Sequence, residues 1–427
     1  MVPGPQSVFF LITETVTVLI AAAVAAMNLV DPKTLPPLAD DLARQLKTHV
    51  EFLASPALAG RKPGTPGHRQ AAAYITTQFS EMGLTPLPSL GSYGQLVSSD
   101  LGENLIGVRN ARSPITTAPW LLIAAHYDHL GGKYLGADDN ASAVAILLEA
   151  ARALPSLPHH HLMFVAFTTE EPPYIRTPLM GSQYFADHLP PELGSMSAIH
   201  VAIVMDLMGG VHWTSTKDTV FAAGAEQSPE LYRRLKESRE PAFEVRSSKV
   251  ESLTSNLEPG TLTVLPVGMH LVEEIPLLGR VSFSDYDAFR NQHVPFLFLS
   301  TGRTPRYHQP TDLPDTLHYE RMAETVQWLT ELTQRLDADQ ARYTFVPDRI
   351  EFGDEVRSLG PLIRHAADRR TMIPNTSSLS LWRMQADRDW LDKLDETRPS
   401  REDITRLERA SIRMQCLLAN LPGCFLF

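Results

Sequence analysis

The sequence has few cysteines and comparatively few basic residues. Only Cys416 and Cys424 occur, both near the end of the chain, so no disulfide framework is predicted. The 38 Lys and Arg residues are outnumbered by 49 Asp and Glu residues, which gives a net charge of −11. A nucleic-acid partner that requires a basic face is therefore not expected.

Long hydrophobic runs are also absent beyond the N-terminus. There, an apolar stretch covers Val8 to Val30 and is interrupted at 13–15. Its most apolar part, Val16 to Met27, has the length of a signal-peptide core and is short for a membrane-spanning helix. No Lys or Arg precedes it, which leaves a misplaced start or a cytosolic segment open. We expect residues 1–27 to be a signal peptide or an N-terminal anchor, which predicts a secreted, periplasmic or cell-envelope protein with membrane contact only through an uncleaved segment.

Apolar runs alternate with helical patterns from about residue 120 onward. The predicted strands are Trp120–Ala125, Leu162–Phe167, Val201–Met205 and Pro295–Ser300, and the predicted helices include Asp40–Leu53, His68–Met82, Ala141–Leu154, Met180–His188 and Tyr319–Leu336. This alternation predicts an α/β layered fold with a central, largely parallel mixed sheet flanked by helices. We place this domain at residues 38–336 and expect a helical C-terminal extension at 337–427 that packs on it.

Polar residues follow three of the predicted strands. His126 and Asp128 end the first, Glu170 and Glu171 follow the second, and Asp206 follows the third. In open α/β sheets, ligands bind beyond the carboxyl ends of the strands, so these side chains are expected at one site. Asp128 faces the same way as His126, and such a carboxylate can orient a metal-bound imidazole.

Two further candidates lie in loops that precede helices. Asp139 could bridge two metal ions with its two oxygens, although a helix cap would explain it equally well. His308 alone would be a surface histidine, and the Glu170-Glu171 pair alone could be a solvated acidic loop. Two histidines and three carboxylates at successive strand ends and loops nevertheless suit two zinc ions.

Five short motifs carry a resemblance to a known family. They are His126-x-Asp128, Gly136-Ala137-Asp138-Asp139-Asn140-Ala141-Ser142, Glu170-Glu171, Met205-Asp206 and Tyr307-His308-x-Pro310. In this order they resemble the signature of the co-catalytic di-zinc aminopeptidases, peptidase family twenty-eight, and the similarity extends from Gly60 to Leu336. The resemblance implies two Zn²⁺ ions per chain, with Asp139 as the bridge, His126 and Asp206 on one ion, and Glu171 and His308 on the other.

The resemblance also implies a mechanism and a substrate. Glu170 would be the general base, Asp128 the orienting acid and Tyr307 a group that stabilises the oxyanion, while the peptide bond between Asp139 and Asn140 would be cis. The substrates would be peptides with a free N-terminus. Two other functions stay open, namely a non-catalytic binding domain on the same fold and an acyl transfer like that of glutaminyl cyclases.

Three other regions receive more ordinary interpretations. His159-His160-His161 is predicted to be a solvated loop, and Asp285 resembles a family position near the site. The apolar spacing from Ile404 to Leu421 covers fewer than three heptads, too few for a confident coiled coil. We expect this extension to contribute stability or control of access rather than metal ligands.

Overall fold

The computed structural model describes residues 39–113, 118–213, 216–238, 262–275, 279–339, 341–368 and 377–418. The predicted N-terminal leader, residues 1–27, lies outside these ranges. Within them, no helix is long and apolar enough to cross a membrane. The described residues from Leu42 onward belong to one compact unit.

The described chain forms eleven α-helices and ten strands. The helices are α1 (Ala39–Leu53), α2 (Pro66–Glu81), α3 (Ala143–Ala153), α4 (Gly181–Asp187), α5 (Pro229–Glu237), α6 (Met269–Glu273), α7 (Tyr286–Asn291), α8 (Tyr319–Ala338), α9 (Phe352–Ala367), α10 (Ser378–Leu391) and α11 (Arg401–Leu418). The strands are β1 (Gly94–Ser98), β2 (Gly102–Arg109), β3 (Trp120–His126), β4 (His161–Phe167), β5 (Ile199–Met205), β6 (Thr219–Ala223), β7 (Thr263–Val267), β8 (Glu274–Ile275), β9 (Gly279–Arg280) and β10 (Phe296–Ser300).

Eight of the strands form one mixed sheet, in the order β1-β2-β4-β3-β5-β10-β6-β7. The central strands β4, β3, β5 and β10 are parallel. On one side of the sheet, β2 runs antiparallel to both of its neighbours, β4 and β1. On the other side, β6 runs antiparallel to β10. Every residue of β3 and β5 is buried, as expected for strands covered on both faces. The predicted α/β fold with a largely parallel mixed sheet is confirmed.

Helices cover the two faces of this sheet. In β3, Leu121 and Ile123 belong to one apolar cluster, whereas Leu122 and Ala124 belong to the other. This alternation is the period of two expected for a strand. Helices α1, α2, α3 and α8 contribute to the first cluster, and α4, α7, α9 and α11 contribute to the second.

The C-terminal helices are part of this core. Phe352, Leu359 and Leu407 are buried in the same apolar cluster as the strand residues of the second face. The predicted packing of the extension on the rest of the chain is thus confirmed. Of the short heptad pattern, Leu421 lies outside the described residues.

Candidate metal centre

The candidate residues converge at the carboxyl edge of the parallel strands. His126 is the last residue of β3, Glu171 follows β4, and Asp206 follows β5 directly. Asp139 lies in a turn at the start of α3, and His308 lies in the loop between β10 and α8. The structure brings all five predicted ligands together.

The ligand atoms form two groups that share Asp139. His126 Nε2 lies 3.4 Å from Asp139 Oδ1 and 3.5 Å from Asp206 Oδ1. His308 Nε2 lies 3.2 Å from Asp139 Oδ2 and 3.1 Å from Glu171 Oε2. Because each Asp139 oxygen faces a different group, this carboxylate is placed to bridge two ions.

These separations fit tetrahedral zinc. Metal–ligand bonds of about 2.0–2.1 Å at tetrahedral angles place neighbouring ligand atoms about 3.3–3.4 Å apart. Within the described part of the chain, His126 Nε2, Asp206 Oδ1 and His308 Nε2 are buried without a hydrogen-bond partner, and so is Asp139 Oδ2. A buried polar atom without a partner costs about 1–3 kcal/mol, so their convergence indicates that cations belong between them.

The electrostatics of the site point the same way. Burial alone would lower the pKa of His126, but Glu170 and the carboxylates around it raise that pKa well above its usual range. Burial is likewise outweighed at His308, where the carboxylates of Asp139 and Glu171, 3.2 and 3.1 Å from its Nε2, raise the pKa to about 10. Both shifts arise because buried carboxylates surround the imidazoles, which is the setting in which bound metal ions would supply positive charge.

Asp128 holds the loop that carries both glutamates. Its Oδ1 accepts a hydrogen bond from the Glu170 N–H at 3.1 Å, and its Oδ2 accepts one from the Glu171 N–H at 3.2 Å. Its Oδ1 also lies 3.6 Å from His126 Nδ1. Asp128 therefore orients a ligand and the proposed base together, which is more than the expected contact with His126.

Glu170 and Tyr307 border the ligands without belonging to either group. Glu170 Oε2 lies 3.8 Å from His126 Nε2, and its Oε1 is buried with no hydrogen-bond partner among the described residues. Burial raises the pKa of Glu170 well above its usual range. The Tyr307 ring stacks on His308 with centroids 3.8 Å apart, and burial raises the pKa of Tyr307, so its hydroxyl remains a donor at neutral pH.

A second network fixes the turn that presents Asp139. The Asp312 carboxylate accepts the N–H groups of Asp138 at 2.8 Å and Asp139 at 3.1 Å. The Asn140 side chain donates to the Met205 carbonyl at 3.1 Å, which ties the turn to the end of β5. The Asp139–Asn140 peptide bond is cis, as predicted.

His129 was not assigned a role from the sequence. Its Nδ1 lies 2.7 Å from Glu171 Oε1 and 3.9 Å from Asp139 Oδ2. The shorter separation is that of a hydrogen bond and is too small for two ligands on one tetrahedral ion. His129 therefore orients Glu171, and the only sequence signal for it was its position next to Asp128.

Arg61 is a second residue whose role the sequence did not reveal. Its fully buried guanidinium donates to four backbone carbonyls, those of Leu53, Tyr127, Leu135 and Gly136, at 2.6–3.0 Å. Burial lowers its pKa to about 10, so it stays protonated at neutral pH. It joins the segment after His126 to the turn before Asp139.

Two further predicted positions have different outcomes. Asp285 is fully buried, and burial raises its pKa to about 7, with His126 and Asp206 among the charges that act on it. This agrees with a position near the site. The solvated-loop prediction is wrong for His160, which is buried with its Nδ1 3.1 Å from Asp337 Oδ1, and for His161, which begins β4.

Comparison with known proteins gives a family match and two relatives of similar sequence. The family model described as peptidase family M28 matches residues 104–333, which include all five candidate ligands. The uncharacterized protein YfbL of Escherichia coli is 28% identical over 311 residues, which cover 63% of this chain and 90% of YfbL. Aminopeptidase YwaD of Bacillus subtilis is 31% identical over 138 residues, which cover 32% of this chain and only 27% of YwaD.

Solved structures share the fold. BSAP, a zinc aminopeptidase from Bacillus subtilis, superposes with a TM-score of 0.51 at 15% sequence identity. The match covers 72% of this chain and 98% of the BSAP chain. LapB from Legionella pneumophila gives a TM-score of 0.52 at 17% identity and covers 70% of this chain and 72% of its own. At these identities the likeness establishes the architecture and leaves the chemistry to the residues of the site.

Proposed function

The chain belongs to peptidase family M28, and we propose that it is a di-zinc aminopeptidase that removes N-terminal residues from peptides. One observation carries the proposal. Four buried atoms have no hydrogen-bond partner in the described part of the chain and lie in two pairs at about the spacing of tetrahedral zinc ligands, His126 Nε2 with Asp206 Oδ1 at 3.5 Å and His308 Nε2 with Asp139 Oδ2 at 3.2 Å. The name of YwaD, a relative over part of the chain, is consistent with this activity.

The residues around the ions divide the work of hydrolysis. Bound zinc would polarise the scissile carbonyl and lower the pKa of water toward ~7. Beside bound zinc the raised pKa of Glu170 would fall, so that its carboxylate accepts a proton from the attacking water and passes it to the leaving amine. Its unpartnered Oε1 is available for this transfer, and Asp128 fixes its backbone. Tyr307 donates its hydroxyl proton in a hydrogen bond to the carbonyl oxygen as negative charge develops there.

The charge of the site favours a substrate with a free amino terminus. Glu170 and Asp285 are buried carboxyl groups beside the ligands, and the candidate ligands Glu171 and Asp206 are buried carboxyl groups as well. A protonated substrate amine is attracted to such a concentration of acidic groups, whereas a blocked N-terminus has no positive charge to offer. This supports an exopeptidase over an enzyme that cleaves within peptides.

Three substrates distinguish this proposal from its alternatives. Zinc-loaded protein should hydrolyse leucine p-nitroanilide and leave N-acetyl-leucine p-nitroanilide intact. It should not cyclise a peptide with N-terminal glutamine. Metal analysis should give two zinc ions per chain. Cyclisation would indicate acyl transfer, and tight zinc binding without turnover of any substrate would indicate a binding domain.

We also infer that the protein is exported. The apolar segment Val16 to Met27 supports this, because its length is typical of the core of a signal peptide. Cell fractionation and N-terminal sequencing of the mature protein test the inference. A cytosolic protein that retains residues 1–27 would contradict it.

A further inference from the structure

A pocket lies at the amino edge of the parallel strands, on the opposite side of the sheet from the candidate metal centre. Among the residues that line it, Pro119 precedes β3, Ile199 begins β5 and Pro295 precedes β10. Strand β3 covers seven residues, so at about 3.3 Å per residue the two edges are about 20 Å apart. The volume of this amino-edge pocket is about 500 Å³, which is within the range of ~300–1,000 Å³ typical of small-molecule sites.

The wall of the amino-edge pocket carries a cation and several imidazoles. His159, His160, His200 and His293 line it together with Arg342, and no Asp or Glu is among the described residues of the wall. Arg342 is exposed and forms no ion pair with a described carboxylate. In a chain with a net charge of −11, a pocket wall without acidic side chains favours an anionic ligand.

His200 presents a buried nitrogen that has no partner in the described part of the chain. The residue is only 9% exposed, and the unpartnered atom is its Nε2. The His160 and Tyr343 rings contact the His200 ring, with centroids 4.8 and 4.4 Å away. Burial lowers the pKa of His200 to about 4, so its ring is neutral at pH 7. Because buried polar groups are normally hydrogen-bonded, this nitrogen indicates a ligand in the pocket.

Two carboxylates contact residues of this wall from behind, and both are already paired. Asp337 Oδ1 accepts the N–H of His160 at 2.8 Å and lies 3.1 Å from His160 Nδ1. Asp339 Oδ2 accepts the Tyr343 hydroxyl at 3.1 Å and lies 2.7 Å from Arg234 Nη2. Their charges are therefore partly compensated, and neither side chain lines the pocket.

We propose that the amino-edge pocket binds a small anion whose carboxylate or phosphate group contacts Arg342 and His200. A guanidinium group matches both kinds of oxyanion with paired N–H donors, and a neutral imidazole can donate its one N–H. Pro119, Ile199 and Pro295 supply an apolar surface for the rest of an organic anion. The proposal does not depend on the proposed peptidase function, because none of the candidate metal ligands lines this pocket.

Calorimetry with three probes tests the proposal. Zinc-loaded protein is first saturated with leucine hydroxamate, whose hydroxamate group chelates zinc and keeps phosphate away from the metal centre. Phenyl phosphate should then bind at one site per chain and more tightly than inorganic phosphate, because its ring adds apolar contact. Phenol, which has the ring without the charge, should not bind measurably. Equal affinity for the two phosphates would support the site and assign it to a free inorganic anion.

Two variants assign the bound anion to this pocket. Arg342→Glu reverses the charge of an exposed side chain and should weaken the binding of phenyl phosphate by about tenfold or more. His200→Phe keeps an aromatic ring beside His160 and Tyr343 but removes both ring nitrogens. It should weaken binding by about tenfold, the effect of one hydrogen bond to a charged group. Arg409→Glu makes the same charge change on the exposed side of α11 and is the matched control, which should bind like the wild type.

Absence of phenyl phosphate binding to the hydroxamate-saturated wild type would overturn the proposal. Affinities within about twofold of the wild type in folded Arg342→Glu and His200→Phe would also overturn it. If His200→Phe does not fold, Arg342→Glu decides alone. A third zinc ion per chain that is lost in His200→Phe would identify a metal site formed by the imidazoles and would contradict the proposal as well.

Discussion

Replacing Asp128 by Asn tests how the site holds its ligands. The two Asp128 oxygens accept the N–H groups of Glu170 and Glu171 at 3.1 and 3.2 Å. Asn has the same shape but only one acceptor oxygen, so its NH₂ group would face one of these backbone N–H groups. The substitution removes a charge-assisted hydrogen bond and brings two donors together in a buried place.

The size of the effect follows from that lost bond. A hydrogen bond to a charged group contributes about 1.5–3 kcal/mol. If this loss reduces the free energy of zinc binding in full, the affinity for zinc falls by about 10–150-fold, at about 1.4 kcal/mol per tenfold. Losses of about 10–100-fold are typical when a residue that orients a metal ligand is removed, so the two magnitudes agree.

Zinc affinity is measured by competition with a chelator, and kcat/KM is measured with zinc in excess. Asp128→Asn should bind zinc more weakly and should remain slower when saturated, because Asp128 also positions Glu170. Asp187→Asn is the matched control, since Asp187 is exposed on α4 and bonds only to Gln183, at 3.0 Å, in the described part of the chain. Equal zinc affinity and equal turnover in Asp128→Asn and the wild type would refute the reasoning.

Other predictions concern proton transfer, metal binding and pH. Glu170→Gln should keep both zinc ions and lose about 10²–10⁴-fold in kcat, because it removes the proton acceptor without removing a ligand. Glu171→Gln should instead lose zinc from one site. Metal analysis and kinetics of both variants check this, and the reverse pattern would exchange the two roles. Removal of zinc with a chelator should lower the midpoint of thermal unfolding, and an unchanged midpoint would argue against a structural contribution of the metal. Glu355 and Glu408 outweigh burial and raise the pKa of His270 from its ordinary 6.5 to about 9. Its stabilising effect is therefore complete below pH 6.5 and lost as the pH rises to about 9, by roughly 2–4 kcal/mol in the free energy of unfolding. Urea denaturation across this range should show that loss in the wild type and not in His270→Gln.

The parallel centre of the fold could be predicted because its strands are continuous apolar runs. Leu162–Phe167 and Val201–Met205 differ from the observed β4 and β5 by two residues or fewer at their starts. The strands β1, β2, β6 and β7 were not predicted. Strand β1 is short and partly exposed, and β6 and β7 lie in a region rich in turns, so local pattern did not distinguish them from loops.

The candidate ligands could be selected from the sequence because each lies in a short motif of recognisable chemistry. The residues that orient them could not, because their roles depend on contacts between distant parts of the chain. Asp312 accepts the N–H of Asp138 from 174 positions away, and no pattern near Asp312 indicates this. The sequence around Arg61 is equally compatible with a surface arginine, and only its four carbonyl partners show that it is a buried structural residue.

These contacts also bear on how positive charge would reach the candidate metal centre, close to which an arginine lies. Arg61 directs its donors to backbone carbonyls, so its charge influences Asp128, Asp139 and Glu171 only through space. Positive charge in direct contact with the candidate carboxylates would come from the proposed zinc ions. Because the ligands end separate strands or lie in separate loops, each bound ion would join parts of the sheet edge that the backbone leaves unconnected. Zinc binding would thus be coupled to folding through the carboxylates of Asp139, Glu171 and Asp206.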